Sequence, residues 1–294
     1  MAGDRYKEIS RVLTRVFFLN VLVAAAKLAF GYASGSVSIA SDGFHSLTDS
    51  ASNLAALVGI RAARQPPDQN HAYGHRKFET LASAAIFFFL LLVLVEVVRA
   101  ALGRLESGGV PDVTALSFVV MIGTLVINLG VVAYESSAAR RLNSELLLAD
   151  SHHTRSDVYT SLSVIAALIG VKLGYAWMDP AAALLVAVFI GWSGWQIARE
   201  TSRVLSDATV LDENDVRAAV MDVGGVLGCH HIRTRGSADH AFLDLHVWAA
   251  RDMRLEEAHA LSHVVKDRLL EKYPQLADVI IHIEPPPRDN SRGD

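Results

Sequence analysis

Apolar residues crowd the chain up to about residue 206 and thin out afterwards. A bilayer-crossing helix takes roughly 20 mostly apolar residues. Six stretches meet that length, at about 12–33, 38–62, 79–103, 113–137, 145–174 and 180–198. Ser107-Gly108-Gly109-Val110-Pro111 marks the joint between the third and fourth, and Asp179-Pro180 opens the sixth, where proline at a first helical position costs little. Beyond residue 207 the pattern changes. Leu255, Ala258, Leu261, Val265 and Leu269 recur at helical spacing, predicting a helix over 254–272. A shorter helix is predicted at 212–222, and β-rich runs predict strands at 229–235, 240–249 and 278–284. The expected architecture is an α-helical membrane protein with six transmembrane helices (1–206) plus a C-terminal cytoplasmic α+β, ferredoxin-like domain of αββαβ order (207–294).

Composition agrees, since 51% of the residues are hydrophobic, more than a soluble domain of this size carries. The net charge of −4 provides no basic footprint, so nucleic acid is not an expected partner. The single Cys229 excludes an intramolecular disulfide and a CxxC metal site, which leaves any metal to the 12 histidines and to carboxylates. Positive charge sets the orientation. Arg5, Lys7, Arg11 and Arg15 precede the first span; Arg61, Arg64, Arg76 and Lys77 lie between the second and third; Arg140 and Arg141 follow the fourth; Arg199 and Arg203 follow the sixth. The opposite connections are poorer, with Arg99 and Arg104 at one helix end and Lys172 at another. Both termini are expected in the cytoplasm, and the first apolar run, which lacks a small-residue cleavage site, is read as a retained span.

Charged residues interrupt the second and fifth spans, in Ser41-Asp42-Gly43-Phe44-His45-Ser46-Leu47-Thr48-Asp49 and in Asp150-Ser151-His152-His153-Thr154-Arg155-Ser156-Asp157. Such groups are costly in hydrocarbon and default to a functional reading. His45 and Asp49 are four apart, as are His153 and Asp157, so each pair projects from one helical face. Two such faces opposed offer two imidazoles and two carboxylates, a set that suits tetrahedral Zn²⁺ better than the oxygen-rich shells of Mg²⁺ or Ca²⁺. Fe²⁺, Cd²⁺, Co²⁺, Ni²⁺ and Mn²⁺ stay open, as does a plain polar network between helices. Asp42, Asp150 and His152 read either as lining a watery approach or as partners of Arg155. Asn53, Asn128 and Glu96 read as buried helix–helix hydrogen-bond partners.

Outside the spans, His71 and His75 lie four apart before the third, fitting either a metal or solvated loop histidines. The tail holds His230, His246, His259 and His282, with Glu284 two residues after the last; residues two apart in a strand share a face, so His282 and Glu284 can address one ion. Surface histidines are the plainer alternative. His263 follows His259 by four, but no HExxH is present, and neither is a Walker A sequence.

Six spans, ligand pairs on the second and fifth, and a short His-bearing tail resemble the cation diffusion facilitator family. The nearest match is its bacterial zinc/iron efflux branch, through Ser36-Val37-Ser38, Asn70-His71-Ala72-Tyr73-Gly74-His75-Arg76-Lys77-Phe78-Glu79, His230-His231-Ile232-Arg233-Thr234-Arg235 and Val279-Ile280-Ile281-His282. The resemblance implies a homodimer in the inner membrane of a bacterial cell that exports divalent metal in exchange for protons. It implies a transport site at His45, Asp49, His153 and Asp157, a loop site at Asp68, His71 and His75, and a binuclear structural or regulatory zinc site drawing on His230, His246, His259, His282 and Glu284. Members of this branch often carry Asp where His45 stands, so the His-Asp/His-Asp set favours zinc over iron. Glu284 stands where the family often has a bridging Asp. The competing classes are an intramembrane metalloenzyme, for which no separate general base is evident, and a membrane-anchored metal sensor, for which six spans exceed what anchoring needs.

Overall fold

The computed structural model describes residues 2–63, 65, 68–142 and 145–287, with the side chains of 2–7, 9–10, 52–53, 55–63, 145–150 and 152–153 outside that description. The chain divides into two compact units, Met1–Arg199 and Glu200–Asp294. The first consists of α1 (Ala2–Ser34), α2 (Val37–Ala63), α3 (Lys77–Ser107), α4 (Ala115–Leu142), α5 (Glu145–Lys172) and most of α6 (Met178–Leu205). Four of these, α1, α3, α4 and α6, hold stretches long and apolar enough to cross a membrane. The other two, of 27 and 28 residues, have the length but carry the polar insertions noted above.

Two apolar clusters hold the bundle. Val12 and Val16 of α1 meet Val131, Ala138 and Ala139 of α4. Ile39, Leu90, Val93, Met121, Val164, Leu168, Val186 and Ile190 join α2 through α6. Outward-facing Phe18, Leu22, Phe88, Leu92, Val126, Val188, Trp192 and Trp195 are more than half exposed, a surface that only hydrocarbon solvates well. Glu96 is on this outer surface of α3 and not in the buried hydrogen-bonding role expected of it, because the helix turns it away from Val93 and Val97. Asn128 is buried, and the side chain of Asn53 lies outside the described residues.

Helices α1 and α2 touch backbone to backbone. A Cβ on Gly31 would come within 2.5 Å of the Ala40 nitrogen, and one on Gly43 within 2.8 Å of the Leu28 nitrogen. At the joint between them, the buried Asp179 of α6 accepts hydrogen bonds from the Val37 and Ser38 amides (2.9 and 3.1 Å) and from the Ser36 and Ser38 hydroxyls (2.6 Å each). A carboxylate from another helix thus satisfies amides at the start of α2, which no residue within α2 can reach.

The second unit contains α7 (Glu213–Met221), β1 (Gly228–Ser237), β2 (His240–Trp248), α8 (Leu255–Lys272) and β3 (Leu276–Glu284). Asp212 caps α7 by accepting from the Asn214 and Asp215 amides. The sheet order is β1-β2-β3, antiparallel between the first pair and parallel between the second, which has the α8 crossover that parallel pairing requires. Along β2 burial alternates residue by residue. Ala241, Leu243, Leu245 and Val247 face a core shared with Val216 and Val220 of α7 and Leu261, Val265 and Leu269 of α8. His246 and Trp248 take the opposite face.

Candidate metal centres

In the helical unit, His45, Asp49 and Asp157 each offer a ligand atom within 4.8 Å of the others, and all three are buried. One turn of α2 places His45 beside Asp49, while α5 delivers Asp157, whose Oδ1 is 3.6 Å from His45 Nε2. His45 Nδ1 and Asp157 Oδ1 are buried without a hydrogen bond among the described residues. Buried polar atoms in that condition are costly and call for a ligand or a proton. The side chain of His153, one turn before Asp157 on α5, lies outside the described residues, as do those of Asp150 and His152. Asp42 pairs not with Arg155 but with Lys27 of α1, at 2.9 Å. That lysine went unremarked in the sequence because one cation in a long apolar run resembles an ordinary interfacial anchor.

A second cluster forms in the loop after α2. Asp68 Oδ1 accepts from the Asn70 and His71 amides (2.9 and 2.7 Å), and Gly74, at φ 84°, reverses the chain so that its amide reaches the His71 carbonyl. The turn brings His71 Nδ1 to 3.4 Å and His75 Nε2 to 3.3 Å from the Asp68 carboxylate. The His71 amide bond, together with the Asn70 amide and the two imidazoles, outweighs burial and holds the Asp68 carboxyl below its ordinary range.

The third cluster is on the outer face of the sheet. Strand register sets His230 opposite His246 and His246 opposite His282, with Trp248 opposite Glu284. Glu284 Oε1 is 2.9 Å from His230 Nε2 and accepts from Trp248 Nε1 at 3.0 Å; its Oε2 is 3.4 Å from His246 Nδ1 and 3.8 Å from His282 Nε2. Burial pushes the Glu284 carboxyl up, but the Trp248 and His246 hydrogen bonds and the His230 and His246 charges outweigh it and leave it below its ordinary range. His259 does not reach this cluster within the chain. It projects from α8, which covers the opposite face of the sheet, and its Nε2 is 3.2 Å from that of His263.

One neighbour was not anticipated. The pairing of β1 with β2 slips between His230 and Arg233, and His231 takes the left-handed φ of 50° there. Its ring consequently lies 4.7 Å from His230 and 5.1 Å from His246, centroid to centroid, on the face that strict alternation would deny it.

Three histidine–carboxylate clusters, one of them sealed inside a bundle with a lipid-compatible exterior, define an integral membrane protein that handles metal cations. The family model described as the cation efflux transmembrane domain matches residues 13–206, and that of the cation efflux protein cytoplasmic domain matches 210–286. The chain belongs to the cation efflux family. It is similar to an uncharacterized transporter of Methanocaldococcus jannaschii (29% identity, 95% of this chain and 99% of that one) and to the cation-efflux pump FieF of Cronobacter sakazakii (30%, 97% and 95%). It is also similar to the manganese efflux system protein MneS of Bacillus subtilis (26%, 96% and 98%). It is accordingly a multi-pass metal cation efflux transporter of the cation diffusion facilitator type, and not an enzyme.

Proposed function

We propose that this protein is a homodimeric exporter of Zn²⁺ working by exchange with protons across a bacterial inner membrane, with both termini in the cytoplasm and six spans. The observation that carries the reading is the buried convergence of His45, Asp49 and Asp157; His153, four residues before Asp157 in the sequence, is the fourth ligand proposed. Imidazole and carboxylate around one point suit zinc, whereas a manganese site is richer in oxygen. Binding requires neutral imidazole and ionised carboxylate, so metal and protons compete for the same side chains. Alternating exposure of such a site to the two compartments exchanges one for the other. The loop cluster and the sheet-face cluster, the latter with one or two ions, serve as accessory metal positions; the second unit acts as scaffold and regulator of the dimer.

The test is zinc uptake into proteoliposomes carrying a metal-sensitive dye, with and without a pH gradient. Gradient-driven uptake by the native protein, falling roughly a hundredfold or more in Asp49→Ala and Asp157→Ala, is expected, since even outer-shell changes at metal sites cost 10–100-fold. Uptake of Mn²⁺ in preference to Zn²⁺ would overturn the metal assignment, and uptake indifferent to the gradient would overturn the exchange.

A further inference from the structure

The helical unit contains a second polar assembly that the ligand set does not use. Lys27 and Asp42 are both fully buried and 2.9 Å apart. Lys27 Nζ also donates to Ser46 Oγ (3.1 Å) and Ser161 Oγ (2.9 Å), and Ser161 donates in turn to Asp42 Oδ2 (3.0 Å). These four residues come from α1, α2 and α5, and so include both helices that bear the ligands.

Their level in the bundle is informative. Along α2, Asp42 lies between His45 and the Val37 end; along α5, Ser161 lies beyond Asp157 toward the Lys172 end. Asp42 and Ser161 therefore sit next to the metal cluster on the side of the α1–α2 turn, while Ser46 is level with it. Farther along in the same direction, Gly31 meets Ala40 with no room for a Cβ. On that side of the cluster lie an ion pair first and, farther along, a close α1–α2 backbone contact.

Stability alone does not account for charges here. Apolar side chains of the same volume commonly hold a core as well as a buried ion pair does, because desolvation offsets the attraction. Charges do behave differently when the closure opens. Sealed, each needs the other; parted and wetted, each is solvated by water, so separation costs little in the open state and much in any half-open one. We infer that Lys27, Asp42 and Ser161 form a polar bolt that closes the metal pathway toward the α1–α2 turn and parts when the site opens to that side. Lys27 and Asp42 are in this view positioning residues that keep the two ends of the pathway from being open together. The inference rests on the alternating-exposure reading above.

The test uses full-length protein in liposomes with an internal pH dye, and measures proton leak without metal alongside zinc-for-proton exchange. Lys27→Met and Asp42→Asn each strand one charge. Each is expected to raise the leak at least fivefold and to lower exchange about tenfold, while still binding zinc at saturating metal by equilibrium dialysis. The Lys27→Met/Asp42→Asn double variant strands none, and is expected to return the leak to within twofold of native. Single variants that bind zinc and leak as little as the native protein would overturn the bolt, as would a double variant as leaky as either single. Should a single variant fail to fold, Ser161→Ala removes one strut without stranding a charge: raised leak at native zinc binding supports the bolt, and native leak overturns it. Absence of exchange in the native protein would sink the exchange reading, while the leak comparison, which needs no metal, would still decide the bolt.

Discussion

The cluster between α2 and α5 and the cluster on the sheet face are built from the same two side-chain types, yet they are prepared for metal in opposite ways. Inside the bundle, His45 Nδ1 and Asp157 Oδ1 are buried and lack hydrogen bonds among the described residues. On the sheet, Glu284 already has His230 at 2.9 Å and Trp248 at 3.0 Å, with solvent beside them. An unsatisfied buried site is costly when empty, so it favours being filled by metal or by protons in turn, which suits a carrier. A half-buried site whose carboxylate is already hydrogen-bonded costs less when empty, although His230 Nδ1 there also lacks a hydrogen bond among the described residues, and an arriving ion must displace contacts already made. That suits a site that responds to metal concentration and is not one that turns over.

Four measurements follow from these features, beginning with the largest effect. Zinc at a hundred times its dissociation constant should stabilise the unit that binds it by about 2.7 kcal/mol. Slowed amide hydrogen exchange over β1–β3 in the full-length protein is the expected readout, lost in Glu284→Ala. The same variant should keep its maximal zinc flux within about threefold of native, because a contact made outside the transport path contributes regulation and not passage. A flux loss as deep as that of Asp157→Ala would erase the distinction between the two sites.

A smaller effect concerns His231, whose left-handed backbone costs a side chain about 1 kcal/mol relative to glycine. His231→Gly should raise the metal-free midpoint of denaturation by roughly that amount while weakening zinc binding to the sheet cluster, if its ring contributes. Loss of stability instead would mean that the ring contacts outweigh the strain. The smallest effect is remote from either cluster. The hydrogen bond from Lys266 at 2.6 Å, opposed by burial, holds the Asp278 carboxyl below its ordinary value of 3.8. A carboxyl lowered by folding contributes stability that is fully present above that ordinary value and disappears as pH falls through the lowered one. Because the pair is part exposed and screened, Asp278→Asn should cost no more than about 0.5 kcal/mol at pH 7, a cost that fades in denaturant titrations as pH falls through the lowered value.

Much of this arrangement was legible beforehand, for identifiable reasons. Hydropathy marks α1, α3, α4 and α6, which carry few charges; α2 and α5 read as spans by length, and the polar residues that weaken their hydropathy are the ones that announce the site. Four-residue spacing shows that His45 and Asp49 share a face, but spacing within one helix says nothing about which helix lies opposite; the pairing with Asp157 is expected from the matching spacing on the fifth span and from the family resemblance. Lys27 escaped because its partner is 15 residues away on another helix. His231 escaped because alternation assumes an unbroken ladder, and the slip after His230 breaks it. His259 shares a composition signal with the sheet histidines but not their surface, since the apolar stripe of Leu261, Val265 and Leu269 sends it away from them.

The clasp that Asp179 makes on the first residues of α2 has a mechanical consequence. It ties that end to α6, and were α2 to pivot there, Val37 would be the fulcrum of a lever. At about 1.5 Å per residue, His45 sits some 12 Å along the arm and Ala63 about 40 Å along it. A swing of about 10° then shifts the ligands by roughly 2 Å and the far tip by roughly 7 Å. Such a pivot would gear a small adjustment around the ion into a large stroke at the opposite end of the same helix.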